Sequence, residues 1–124
     1  MIQDRGLIKL LSLLLRHGIR DRELLREILE HKTVTNGTVA VEIIEIVKRQ
    51  PNSIIIYEDE EGGINEEPVY GVLIEYAGII LTYMAFGNKC LLKIKSKTET
   101  SKELSLLKKI IRKYRETREY NELG

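Results

Sequence analysis

Tryptophan is absent from this 124-residue chain, and cysteine, phenylalanine, proline and histidine are scarce: one, one, two and two copies. A lone cysteine cannot close an internal disulfide, and cysteine-rich zinc modules are excluded with it. With no linker and no low-complexity tract, one domain over 1–124 is expected. Its helical part covers about 3–49, and its strands and closing helix about 53–118. No apolar run approaches the ~20 residues that span a bilayer, and the start MIQDR is not that of a secretory signal. The expectation is a cytoplasmic protein without membrane association. The 43% hydrophobic and 31% charged content is that of an ordered chain. Ile and Leu number 17 each against two Gln, and Glu, Lys and Arg dominate the charges, a thermophile-like usage.

Residues 51–76 contain no basic residue at all, yet the whole chain is balanced at 20 Lys+Arg and 19 Asp+Glu. The balance conceals a division. Residues 1–50 carry nine basic and seven acidic side chains, residues 51–76 seven acidic ones, and residues 77–124 eleven basic and five acidic. Such asymmetry predicts an acidic and a basic patch that pair with each other or with partners.

Apolar periodicity divides the first half into three helices. Ile8, Leu11, Leu14 and Leu15, with Leu7 and Leu10 beside them, form the first stripe, and Gly18 stands where a helix C-terminal glycine belongs. Asp21 is placed to cap a second helix with the stripe Leu24, Leu25, Ile28 and Leu29. Residues 32–49 read two ways. Asn36-Gly37 among β-branched residues signals a hairpin, whereas Ala40, Ile43, Ile44 and Val47 share a helical face that Thr35 or Asn36 can cap and Pro51 follows. The helix, over about 38–49, is the favoured reading.

The second half predicts an antiparallel meander of three to four strands, giving an α+β fold with three N-terminal helices and an amphipathic C-terminal helix. Ile54–Tyr57 runs into the acidic EDEEGGINEEP, expected as a loop of about ten residues. Val69–Tyr76, Ile79–Phe86 and Lys89–Ser96 are strand-like and meet at two-residue turns, Ala77-Gly78 and Gly87-Asn88. In the last strand Cys90, Leu92 and Ile94 face inward and Leu91, Lys93 and Lys95 outward. The closing helix, about 101–118, turns Leu104, Leu107, Ile111 and Tyr114 to the core, supported by Leu106 and Ile110. Its outer face carries Lys108, Lys109, Arg112, Arg115 and Arg118, and 119–124 is expected to fray.

Catalytic chemistry is not evident. His17 and His31 have no ligand or base at suitable spacing, and Cys90 reads as a small core residue. Asp59, Glu60, Glu61, Glu66 and Glu67 lack the alternating spacing of a calcium loop, and Gly62-Gly63 leads into no helix with a Lys-Ser/Thr pair. No enzyme, cofactor or metal site is expected.

Two resemblances point to binding functions. VTNGTVAVEIIEIVKR resembles the turn and recognition helix of winged-helix regulators, with Val34 as the turn's apolar residue, Thr35 as cap and Val39, Ile43 and Ile46 as inward anchors. Residues 7–76 fit that plan, with 53–58 and 69–76 as the wing. The resemblance implies sequence-specific DNA binding, usually as a dimer, with the third helix in the major groove. Asn36, Thr38, Lys48 and Arg49 would then contact DNA, joined by Lys108, Lys109, Arg112 and Arg115 of the closing helix. Residues 71–114 instead resemble the C-terminal half of roadblock-type domains, carried by the turn at Gly87-Asn88 and the paired Leu91-Leu92. This implies a dimeric, non-catalytic scaffold for a protein partner such as a small GTPase or a motor component. Surplus apolar positions on the closing helix also predict a homodimer.

Overall fold

The computed structural model describes residues 3–62 and 68–123, with side chains placed for 5–62 and 68–116. The acidic residues Glu66 and Glu67 lie outside the described residues. In chain order the elements are α1 (Gln3–Arg16), α2 (Arg22–His31), β1 (Thr33–Val34), α3 (Gly37–Lys48), β2 (Ile54–Glu61), β3 (Val69–Tyr76), β4 (Ile79–Phe86) and β5 (Lys89–Ser96). A 3-10 turn, Lys97–Glu99, leads into α4 (Thr100–Leu123). The class is α+β, as expected. The meander has four strands, and β1 adds a fifth by pairing with β5, so the antiparallel sheet runs β1-β5-β4-β3-β2.

Local chemistry sets the helix ends. The Ile19 N–H donates to the Leu14 carbonyl and the Gly18 N–H to that of Leu15, closing α1 in a Schellman motif with Gly18 at φ +85°. The Asp21 carboxylate accepts from the Glu23 and Leu24 N–H groups and starts α2. Residues 37–48 are helical. Asn36, rather than Thr35, is the cap: its side chain accepts from the Val39 N–H. Each cap satisfies backbone donors that the helix cannot, worth about 1 kcal/mol.

The helices lie on both sides of the sheet. Leu10, Leu14, Ile28, Ile43, Ile44 and Val47 of α1–α3 pack on the face carrying Val72, Ile74, Leu81 and Leu92. Leu107 of α4 packs on the opposite face with Leu73 and Ile80. Burial from both sides explains why β3 and β4 are nearly continuous apolar runs. Gly71 of β3 makes the α4 approach close, since a Cβ there would stand 3.0 Å from Ile111 Cδ1 and 3.2 Å from Leu107 Cδ2.

Several expected orientations are corrected. α1 buries Leu7, Leu10, Leu13 and Leu14, leaving Ile8 58% and Leu15 40% exposed and Leu11 half-buried. On α2, Leu24 and Ile28 are buried, Leu25 half-buried and Leu29 exposed. Both helices pack on one face of the sheet, so one stripe of each is buried and the neighbouring one is exposed or half-buried. On α4, Leu107 and Ile111 are buried, whereas Leu106 is exposed, and the helix continues to Leu123 instead of ending near 118. The largest correction is at β2. It extends through the acidic residues to Glu61, so Glu58–Glu61 are strand, and the ten-residue loop is shortened. A bulge between Ile55 and Tyr57 resets the alternation, which places Tyr57, Asp59 and Glu61 toward α4 and Glu58 toward α3.

Thr82 of β4 is fully buried, and its hydroxyl has no hydrogen-bond partner among the described residues. Thr82→Val keeps the shape and removes that cost. It is expected to stabilise the fold by about 1 kcal/mol, measured as a rise in urea midpoint at constant m-value.

Candidate functional site

The acidic run of β2 is held from two sides. Facing α3, the Glu58 carboxylate accepts from Lys48 and from the Tyr70 hydroxyl, and Lys48 Nζ lies 3.0 Å from Tyr70 Oη. Burial opposes the charge on Lys48, but the bonds to Glu58 and Tyr70 prevail and raise its pKa beyond the ordinary lysine range. The same bonds hold the Glu58 carboxyl below the usual range. Burial, reinforced by the bond to Glu58, pushes the Tyr70 phenol up to about 12. Facing α4, Arg115 pairs with Glu61 and lies 3.6 Å from Asp59, while Lys108 Nζ sits 5.7 Å from the Tyr57 ring centroid. Lys97 adds a pair with Glu75 of β3 at 3.0 Å. The acidic middle of the chain is thus met by basic residues from both flanking thirds. These clusters brace α3 and α4 against the sheet edge.

The eight residues expected at a nucleic-acid surface fall into two separate groups. Thr38 and Lys48 of α3, with its caps Asn36 and Arg49, lie on one face of the sheet, and Lys108, Lys109, Arg112 and Arg115 of α4 on the other. Asn36 is engaged as a cap, Lys48 and Arg115 in ion pairs, and Lys108 over Tyr57. Thr38, Arg49, Lys109 and Arg112 are exposed. Next to them the solvent side of α3 shows Val41, Glu42 and Glu45. Cys90 is half-buried, packs beside the larger core and donates its thiol to the Thr35 carbonyl at 3.0 Å. His17 and His31 are exposed. Among the described residues no three His, Cys, Asp or Glu side chains gather as a ligand set, and no helix is long and apolar enough to cross a membrane.

A second place concentrates positive charge. A cleft of about 890 Å³ opens between the first turns of α1, the end of α2, the β3–β4 turn and the end of β5. Arg5 and Lys9 come from α1, His31 and Lys32 from the α2 terminus, and Lys93 and Lys95 from β5. Among the residues with described side chains, Glu99 is the one acidic residue lining it. Lys93 and Lys95 are committed to Glu103 of α4, at 2.9 and 3.7 Å, and Lys95 also approaches Glu99 at 3.8 Å. Arg5, Lys9 and Lys32 have no ion pair among the residues with described side chains. Buried Leu7, Ile79 and Ile94 contribute apolar lining. No local motif announced this cleft, because its residues come from segments far apart in the chain. One signal was present: a lysine directly after α2, in a left-handed conformation (φ 53°, ψ 35°) where glycine is the ordinary residue.

No family model, curated protein or solved structure matches this chain.

Proposed function

We propose that this protein is a non-catalytic interaction scaffold that works as a homodimer, as the roadblock-type resemblance implies. One observation carries it. α1 has two adjacent heptad stripes: Leu7, Leu10 and Leu14 serve its own core, while Ile8 and Leu15, seven residues apart, are exposed on either side of Leu11, which is half-buried against that core. An antiparallel two-fold pairing centred between Leu11 and Ser12 sets Ile8 of one protomer opposite Leu15 of its partner and closes the assembly at two copies. The surplus that the sequence suggested on the closing helix is therefore larger on α1, since α4 leaves only Leu106 exposed among its large apolar residues with described side chains.

Sedimentation at micromolar concentration is expected to show a dimer, and Ile8→Lys with Leu15→Lys a monomer of unchanged circular dichroism. A monomeric wild-type chain overturns the proposal. The competing reading, a winged-helix-like DNA-binding regulator, draws support from Lys109 and Arg112 of α4, which are exposed and have no ion pair among the residues with described side chains. Affinity for duplex DNA that falls steeply with salt, and falls again with Arg112→Glu, would favour it; the scaffold reading expects neither.

A further inference from the structure

We propose that the cleft between α1, the α2 terminus and the β3–β4 turn binds a small molecule carrying two or more phosphate groups. The charge is the first argument. Arg5, Lys9 and Lys32 converge from two elements with no ion pair among the described residues, and His31 stands beside them. Outside the cleft, several basic side chains are met by carboxylates: Lys48 by Glu58, Lys97 by Glu75 and Arg115 by Glu61. Three uncommitted cations in one recess leave charge for a polyanion to neutralise, more than a single carboxylate would supply.

Shape is the second argument. The cations line a concave space of about 890 Å³, within the range of small-molecule sites, and not a flat stripe along a helix. Ser96 and Thr98 add hydroxyl groups to the lining, and Leu7, Ile79 and Ile94 offer apolar surface to the uncharged part of a ligand.

The backbone is the third. Lys32 and Ala77 are the two non-glycine residues with positive φ among the described residues, and both line this cleft. At Lys32 the chain accepts a strained conformation to keep a long cation where glycine would relax it. Ile8 and Leu15 do not line the cleft, so this inference stands apart from the dimer.

Calorimetric titration of the full chain at low salt with inorganic tripolyphosphate, with ADP and with orthophosphate tests it. Tripolyphosphate and ADP are expected to bind one site per chain and orthophosphate about tenfold more weakly, for want of charge-assisted contacts. If ADP binds more tightly than tripolyphosphate, the apolar lining holds an organic moiety; equal binding makes the phosphates the whole determinant. Lys32→Gly is expected to weaken binding about tenfold while leaving the melting temperature unchanged or higher, which separates loss of a ligand contact from loss of fold. Arg5→Gln with Lys9→Gln, both exposed, should weaken it further. Absence of binding to both tripolyphosphate and ADP overturns the proposal, as does wild-type affinity in either variant. Displacement of the probes by a DNA duplex that these variants release would assign the cleft to a polymer backbone and overturn it too.

Discussion

Gly6→Ala is expected to destabilise the fold by about 1–3 kcal/mol, although alanine is the better helix former. Gly6 is buried on α1, and a Cβ there would stand 2.6 Å from the Ala77 carbonyl oxygen and 2.7 Å from Ile79 Cγ2. The carbonyl is backbone in a two-residue turn whose neighbour Gly78 accepts from the Lys97 N–H, so it cannot swing aside as a side-chain end would. α1 must then lift from the turn, and the apolar contacts of Leu7 and Leu10 suffer with it. Propensity alone predicts a gain of about 1 kcal/mol, so the two effects differ in sign. Chemical denaturation decides between them, and a midpoint equal to or above wild type would refute the close approach. Gly18→Ala is a useful companion: nothing lies within 4 Å of its Cβ, and only the positive φ resists.

Lys93→Met is expected to cost more, about 3 kcal/mol. Its partner Glu103 is 3% exposed, with Lys93 Nζ 2.9 Å from one carboxylate oxygen and 3.2 Å from the other. Without Lys93 the carboxylate stays beneath α4 with only Lys95 at 3.7 Å to offset its desolvation. Removing both charges, Lys93→Met with Glu103→Leu, is expected to restore most of the loss, because apolar groups of similar volume carry no desolvation penalty. A double-mutant cycle by urea unfolding measures the coupling. Additive losses would show that the two side chains do not depend on each other.

The parts of this fold that were legible in the sequence are those governed by neighbours in the chain. Asp21, Asn36 and Gly18 mark helix ends by bonding backbone groups two to four residues away, and Ala77-Gly78 and Gly87-Asn88 fix turns of two residues. The buried stripe of α1 was not legible, because Leu and Ile occupy seven of the nine positions 7–15 and periodicity cannot choose among them. The acidic half of β2 read as a loop since Asp and Glu are poor strand formers. What makes it a strand is its ladder with β3, with Lys48 on one face and Arg115 on the other meeting its carboxylates, all partners outside the segment itself. β1 escaped notice for a simpler reason: two residues carry no alternation. The basic side of the chain's charge division was visible, but a further basic cluster lies near the start, where Arg5, Lys9 and Lys32 line one cleft, and not only along the closing helix.

The register of β1 also bears on the order in which the molecule assembles. Each hairpin of the meander joins neighbours in sequence, so β2 through β5 can zip from turns that close quickly. Thr33 and Val34 instead meet Lys93 and Leu92, some sixty residues downstream, a closure whose entropy is repaid only once the leucines of α1 and α2 find the sheet. On this topology the meander is the part made of local pairings, and the N-terminal helices are expected to dock on it later. The Ile94 amide, donated to the Lys32 carbonyl across that closure, is the bond that would report the step in a hydrogen-exchange experiment.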